Sequence, residues 1–287
     1  CEPKAYLNEL MMDENSGLPS VKEVFDTTPY TILVVDDNPD MTDFLKRTFE
    51  GYFKRIIIAG DGVEALQLVR SHVPDIIVSD VMMPRMNGYK LCKTIKEDIN
   101  ISHIPVILLT ARDDRQSQIS GYKNGADGYL SKPFEVEMLM ELIRNRLKNR
   151  EYTKKRYLNA GLIPTPEEST ISLTDETFLI KLNSIIQENI DNTNLGIQFI
   201  CQEVGLGRSS LYNKLKALTG MGANEYISKL RIEKAITLIS GTDMPFSEIA
   251  EKTEFTTPSY FSTAFKQYTG ETPSQYKERK KKGLADK

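Results

Sequence analysis

Between residues 31 and 131 five short apolar runs, Ile32 to Val35, Arg55 to Ile58, Asp75 to Ser79, Val106 to Leu109 and Gly128 to Leu130, alternate with amphipathic stretches. Short apolar runs bounded by helical periods are the pattern of βαβ units, which close only as a parallel sheet. Several runs are apolar without alternation, as strands are when helices cover both faces. The pattern predicts an α/β unit with five strands and five helices between 31 and 148, the last helix over about Glu135 to Asn149. Residues 1–29 mix Pro3, Gly17, Pro19 and Pro29 with polar residues, show no sustained period, and read as linker.

Beyond the fifth run the organisation changes. Residues 149–174 are charged and then Pro/Ser/Thr-rich, with Ile163-Pro164-Thr165-Pro166, and read as an interdomain linker. From 175 to 287 only helical periodicity remains, and it contains a repeat. Leu211-Tyr212-Asn213-Lys214-Leu215-Lys216, Thr219-Gly220 and Tyr226 recur as Phe261-Ser262-Thr263-Ala264-Phe265-Lys266, Thr269-Gly270 and Tyr276. Two copies of one supersecondary unit are implied. Upstream of the turn the offset is one residue shorter, pairing Ile200-Cys201 with Ile249-Ala250 and Leu206 with Phe255, so the second turn is longer by one residue.

The 287 residues carry a formal charge of −3, which excludes a uniformly basic nucleic-acid coat. Charge is nonetheless uneven: Val204 to Lys282 holds 13 Lys and Arg against 8 Asp and Glu. Cys1, Cys92 and Cys201 form no CxxC pair, so neither a disulfide framework nor a zinc site is indicated, and the two later ones read as small core residues. No apolar run approaches the roughly 18 residues of a membrane span, and the start has no signal-peptide pattern. The expectation is a cytoplasmic segment without membrane contact. Because the chain begins with Cys1 rather than Met, either a segment is processed off, with a lipid-modified N-terminal cysteine as the rival reading, or these residues are one portion of a longer polypeptide. The second is the expectation, since a lipid anchor would place the chain outside the cytoplasm.

Three carboxylates fall where parallel strands end: Asp36 and Asp37 after the first, Asp80 after the third. Ligands of open α/β sheets gather at the carboxyl ends of strands, so these acids are expected to converge. Converging carboxylates repel and call for a cation, and magnesium suits hard oxygens. Thr110 and Lys132 bring a hydroxyl and an ammonium to the same rim, which makes a phosphoryl site with Asp80 as nucleophile. A cis Lys132-Pro133 peptide would aim that ammonium inward. A single strand-end aspartate is ordinarily a turn or cap residue, a role open to Asp37 before Asn38-Pro39; five matches in strand order argue otherwise.

Asp36-Asp37, Asp80-Val81-Met82-Met83-Pro84 with Met86-Asn87-Gly88, Thr110-Ala111 and Lys132-Pro133-Phe134 resemble the response-regulator receiver family over residues 30–148. The resemblance implies a flavodoxin-like doubly wound fold in which Asp80 is the phosphoacceptor and Asp37, Asp80 and the Met82 carbonyl ligate Mg2+, with Asp36 assisting through water. It further implies that Thr110 and Lys132 contact the phosphoryl group. Tyr129 matches the family's switch aromatic, and the face of the fourth helix and fifth strand is the element that the added charge biases.

Ile197 to Leu218 reads as a helix with Phe199, Ile200 and Val204, a turn at Gly205-Leu206-Gly207, and a second helix with Leu211, Leu215 and Leu218 inward. That is helix-turn-helix spacing, and its duplication strengthens the reading. The repeat, with Arg231-Ile232-Glu233-Lys234-Ala235 and Phe265-Lys266-Gln267-Tyr268-Thr269-Gly270, resembles the AraC-type DNA-binding domain over 175–287. The resemblance implies two lobes on a connecting helix, entering successive major grooves about 34 Å apart. Outward positions expected at DNA are Arg208, Ser209, Tyr212, Asn213 and Lys216 in the first lobe, and Thr257, Ser259, Tyr260, Thr263 and Lys266 in the second. Arg208 suits guanine and Asn213 adenine. Glu254 stands where the family commonly has Gly, and Pro258 opens the second recognition helix.

The expectation is therefore a phosphorylation-controlled transcription regulator, not itself an enzyme. A histidine kinase is its phosphoryl donor, it pairs as a homodimer on phosphorylation, and RNA polymerase is a further partner. The helix expected after Asp175, with Phe178-Leu179, resembles hybrid chains in which the kinase is joined upstream; such a chain would as a whole be a histidine kinase at the cytoplasmic side of the inner membrane. His72 and His103 read as surface or helix-end residues.

Overall fold

The computed structural model describes residues 25–111, 125–159, 172–192 and 194–285. The α/β part runs β1 (Thr31–Val35), α1 (Pro39–Phe49), β2 (Arg55–Ala59), α2 (Gly62–His72), β3 (Ile76–Asp80), α3 (Gly88–Glu97), β4 (Val106–Thr110), β5 (Gly128–Ser131) and α4 (Val136–Asn159). The helix expected between the fourth and fifth strands falls largely outside the described residues.

All pairings are parallel, in the order β2-β1-β3-β4-β5. Period-2 alternation sends Leu33 and Val35 into one core with Ile77, Leu91, Ile95 and Leu108. It sends Ile32 and Val34 into the other, with Leu45, Phe49, Ile107, Leu139 and Ile143. Both faces are thus buried, which is why the runs read apolar throughout. Helix ends are written locally: the Asn38 side chain accepts from Asp40 N and Pro39 opens α1, while Asp61 accepts from Val63 N and Glu64 N at the start of α2.

The last helix departs from expectation, since α4 continues through Asn159, ten residues past the predicted stop. Those added turns are held by the second part of the chain: Tyr157 is buried in the apolar cluster built mainly by the helices that follow. Cys92 is a core residue as expected, whereas Cys201 is only half-buried against that same cluster.

The helical part comprises α5 (Leu173–Glu188), α6 (Ile197–Val204), α7 (Arg208–Thr219), α8 (Ala223–Gly241), α9 (Phe246–Lys252), α10 (Pro258–Thr269) and α11 (Pro273–Ala285). Two apolar cores are strung on α8. Tyr226, Ile227 and Leu230 belong to the first, with Leu182, Ile186, Ile200, Leu211 and Leu215. Ile232, Ala235 and Ile239 belong to the second, with Ile249, Phe261, Phe265 and Tyr276. One helix passing through both fixes the lobes relative to each other. Among the described residues no helix is long and apolar enough to cross a membrane.

Candidate functional site: a strand-end acid cluster and two recognition helices

Asp80 is the last residue of β3 and 7% exposed; Asp36 follows β1 and is 4% exposed. Lys132 Nζ donates to Asp80 Oδ1 at 2.6 Å and to Asp36 Oδ2 at 2.8 Å. Asp80 Oδ2 accepts from Met82 N at 2.6 Å, and Asp36 Oδ1 accepts from Asn38 N at 2.9 Å. The Lys132–Pro133 peptide is cis. Burial, aided by the Asp36 charge, holds the Asp80 carboxyl above its usual range despite the opposing pull of Lys132. Burial pulls the Lys132 ammonium down, but its bonds to both carboxylates outweigh this and leave it raised.

Asp37 lies beside this pair and is exposed. Among the described residues no three His, Cys, Asp or Glu side chains stand close enough together to hold a metal; the carboxylates buried at this rim are Asp36 and Asp80. Thr110 ends β4 and is 3% exposed, and its carbonyl accepts from Lys132 N at 2.6 Å. Tyr129 on β5 is half-buried, with its hydroxyl 2.9 Å from that of Tyr89 on α3.

Two supports escaped sequence reasoning. Gly88 has no room for a side chain: a Cβ there would stand 2.2 Å from Asp80 O. The glycine of Met86-Asn87-Gly88 thus lets α3 start against the backbone of Asp80. Asp61, buried at the N-cap of α2, pairs with Arg85 across the loop after β3.

His72 ends α2 and is exposed as expected, but His103 is not a surface residue. It is 8% exposed, neither ring nitrogen has a hydrogen-bond partner among the described residues, and burial together with the charges of Arg150 and Lys214 depresses its pKa to about 3. The reason is tertiary: Ser102 beside it, in the turn before β4, is covered by the helical part.

In the first lobe α6 and α7 meet at Gly205, whose φ of 74° is left-handed. Arg208, Ser209, Tyr212, Asn213 and Lys216 are all exposed on α7, with Leu211, Leu215 and Leu218 buried behind them. Arg208 Nη2 also reaches Gln198 Oε1 at 3.3 Å. In the second lobe Glu254 occupies the matching left-handed position at φ 54°, a conformation that costs a side chain more than glycine. Arg231 Nη1 on α8 donates to its carbonyl at 3.2 Å.

Thr257, Ser259, Tyr260, Thr263 and Lys266 are exposed on or just before α10. Two of their hydroxyls are already engaged locally: Thr257 Oγ1 caps the helix by accepting from Tyr260 N, and Thr263 Oγ1 donates to Ser259 O. The extra residue of the second turn lies after Glu254, where Phe255-Thr256-Thr257 stands against Leu206-Gly207.

Known proteins resemble the two parts of the chain separately. The response regulator receiver domain family matches residues 32–144 and a helix-turn-helix domain family matches 200–279. Histidine kinase P4 of Formosa agariphila is 41% identical over 87% of this chain, which spans 18% of that protein. The DNA-binding response regulator MtrA of Mycolicibacterium smegmatis is 36% identical over 47% of this chain and 58% of its own length. A solved response regulator of Chloroflexus aurantiacus superposes with TM-score 0.40 at 34% identity, covering 42% of this chain and 99% of that one. Response regulator MprA of a Mycobacterium species is 36% identical over 53% of this chain and 70% of its own length. The chain thus belongs to the response-regulator family, with a receiver domain followed by an AraC-type helix-turn-helix domain.

Proposed function

We propose that Asp80 accepts a phosphoryl group from a histidine kinase and thereby controls sequence-specific DNA binding and transcription. The observation that carries the reading is the Asp80 carboxylate, buried at a strand end and bonded to the Lys132 ammonium. One Asp80 oxygen attacks the phosphorus of a phosphohistidine. The P–N bond breaks, its electron pair leaves on the imidazole, which is protonated, and an acyl phosphate forms. Lys132 holds a positive charge where the phosphoryl oxygens arrive, and the Thr110 hydroxyl turns toward them as Tyr129 moves inward.

The acidic rim fits magnesium, because Asp36 and Asp80 offer hard oxygens and the raised Asp80 carboxyl marks a site that added positive charge relieves. Asp37, Asp80 and the Met82 carbonyl would be the ligands, with Asp36 acting through water. When bound, magnesium neutralises charge on the transferred group. We take residues 30–148 as the receiver and 175–287 as the DNA-binding domain, joined by 149–174, whose first residues continue α4 to Asn159 and whose last open α5. The exposed residues of α7 and α10 read the major groove, with Lys216 and Lys266 at phosphates. Receiver pairing then presents two domains to repeated sites, where RNA polymerase is engaged, on the cytoplasmic side.

The test is operator affinity with and without an acyl-phosphate mimic such as beryllofluoride; equal affinity in both states defeats the phosphorylation link. A second reading places the chain as the output end of a one-chain hybrid kinase. It is favoured by the likeness to Histidine kinase P4, of which the chain spans 18%. A reading frame that stays open upstream of residue 1 supports it, and a stop codon there refutes it.

A further inference from the structure

Lys214 lies on the first recognition helix, yet it is fully buried. Its Nζ donates to Asp175 Oδ1 of α5 at 2.5 Å and to Ser102 Oγ at 2.8 Å; Ser102 Oγ donates in turn to Asp175 Oδ1 at 2.7 Å. Ser102 is 0% exposed and Asp175 2%. Two of these residues belong to the DNA-binding part and one to the receiver. Around them Ile99 packs against the first lobe's core, Thr174 Oγ1 donates to Lys96 O at 3.1 Å, and α4 packs along α7. The turn before β4 is therefore a socket for the lobe.

A buried ion pair is a poor source of stability, because desolvating two charges offsets their attraction. The second lobe shows the alternative, since the repeat sets Ala264 at the position of Lys214, buried in the second core. What a buried polar set supplies instead is registry: it is satisfied in one docked arrangement and heavily penalised in others.

The socket is rigidly tied to the phosphoryl rim. Lys96 Nζ donates to Ile104 O at 2.8 Å and pairs with Asp127 at 2.7 Å, and Asp127 accepts from Val106 N at 2.7 Å. Lys96 thus staples the turn to the starts of β4 and β5. These two strands end at Thr110 and at Ser131, next to Lys132, and β5 carries Tyr129. Four to five residues at about 3.3 Å each separate socket from rim. The docked receiver leaves Arg208, Ser209, Tyr212, Asn213 and Lys216 exposed, so it does not act by covering them.

We propose that the turn from Asp98 to Pro105 is the receiver's docking surface for the first DNA-reading lobe, and that the Ser102–Asp175–Lys214 set is the contact whose registry follows the state of Asp80 through β4 and β5. The inference rests on Asp80 being a phosphoacceptor. It assigns the coupling to lobe orientation rather than to unmasking.

The test uses the full chain, a duplex selected from random DNA, and beryllofluoride with magnesium as the probe. Ser102→Ala removes the receiver's share and leaves the ion pair; the double variant Asp175→Leu with Lys214→Met removes both charges at similar volume, so neither leaves an unpaired buried charge. In the unsubstituted chain the probe is expected to change operator affinity 5- to 150-fold and to change hydrogen exchange at the Ser102 and Ile104 amides. In both variants the affinity ratio is expected to fall below about threefold, a coupling near 0.6 kcal/mol or less, while rim amides such as Met82 still respond. Variants that keep the full ratio, or socket amides that ignore the probe while the rim responds, overturn the proposal. A rim that does not respond at all overturns the phosphoacceptor reading beneath it.

Discussion

Lys132 Nζ lies 2.6 Å from Asp80 Oδ1, and the same ammonium reaches Asp36 at 2.8 Å, so one cation serves two buried carboxylates. Removing it strands both charges. Lys132→Met is expected to lower stability by about 2 to 4 kcal/mol, somewhat below the cost of breaking a fully buried pair because the ammonium is partly exposed. Asp80→Asn acts in the other direction: the folded carboxyl sits above its usual range, so its ionised form opposes folding, and the neutral amide is expected to raise stability without magnesium. Urea unfolding of the two variants checks both signs.

Gly88 is a steric prediction. A methyl group 2.2 Å from Asp80 O must displace either α3 or the end of β3. Gly88→Ala is expected to cost about 1 to 3 kcal/mol, the range of overpacking, and to slow acceptance of phosphate from acetyl phosphate. Unchanged stability and rate would show that the loop yields freely.

These supports mark where the sequence stopped being legible. Strand ends, turn glycines and the exposed faces of α7 and α10 follow local periods, so Asp36, Asp80, Thr110 and Lys132 could be placed from spacing alone. Lys214 and Ser102 follow no local rule, because what buries them comes from the other domain. One signal was present in the repeat: the residue matching Lys214 is Ala264, and a position that takes alanine in one copy faces inward in both. His103 was misread for the same reason, as a turn histidine is ordinarily solvated until another domain covers it.

His103 therefore makes the chain acid-sensitive. Its folded pKa of about 3 lies below the ordinary 6.5, so the unfolded state binds the proton first. Stability is expected to fall as pH drops below about 6.5 toward the depressed folded value. Asp175 adds a second loss: burial pushes it up, but Lys214 and Ser102 hold it below its usual range, and its contribution disappears below about pH 4. His103→Gln is expected to flatten the upper part of the slope, measured by unfolding at stepped pH. An unaltered slope would assign the acid response to other groups.

The recognition helices make separable predictions. Arg208→Ala is expected to cost about 1 to 3 kcal/mol at a cognate site and to relax base preference at one position, once its bond to Gln198 is exchanged for a base edge. Lys216→Ala and Lys266→Ala are expected to weaken binding to all sequences alike and to reduce the salt slope by about one each. Salt titrations on selected and scrambled duplexes distinguish the two behaviours.

The most direct measurement is phosphoryl transfer itself, followed on the full chain with acetyl phosphate and magnesium and read both by mass and by operator binding. The account predicts one phosphoryl group, labile to alkali and hydroxylamine, on Asp80, lost in Asp80→Asn, and an operator affinity that changes at least fivefold only in the chain able to carry it. Phosphate found on another residue, or an affinity change that persists in Asp80→Asn, would contradict it.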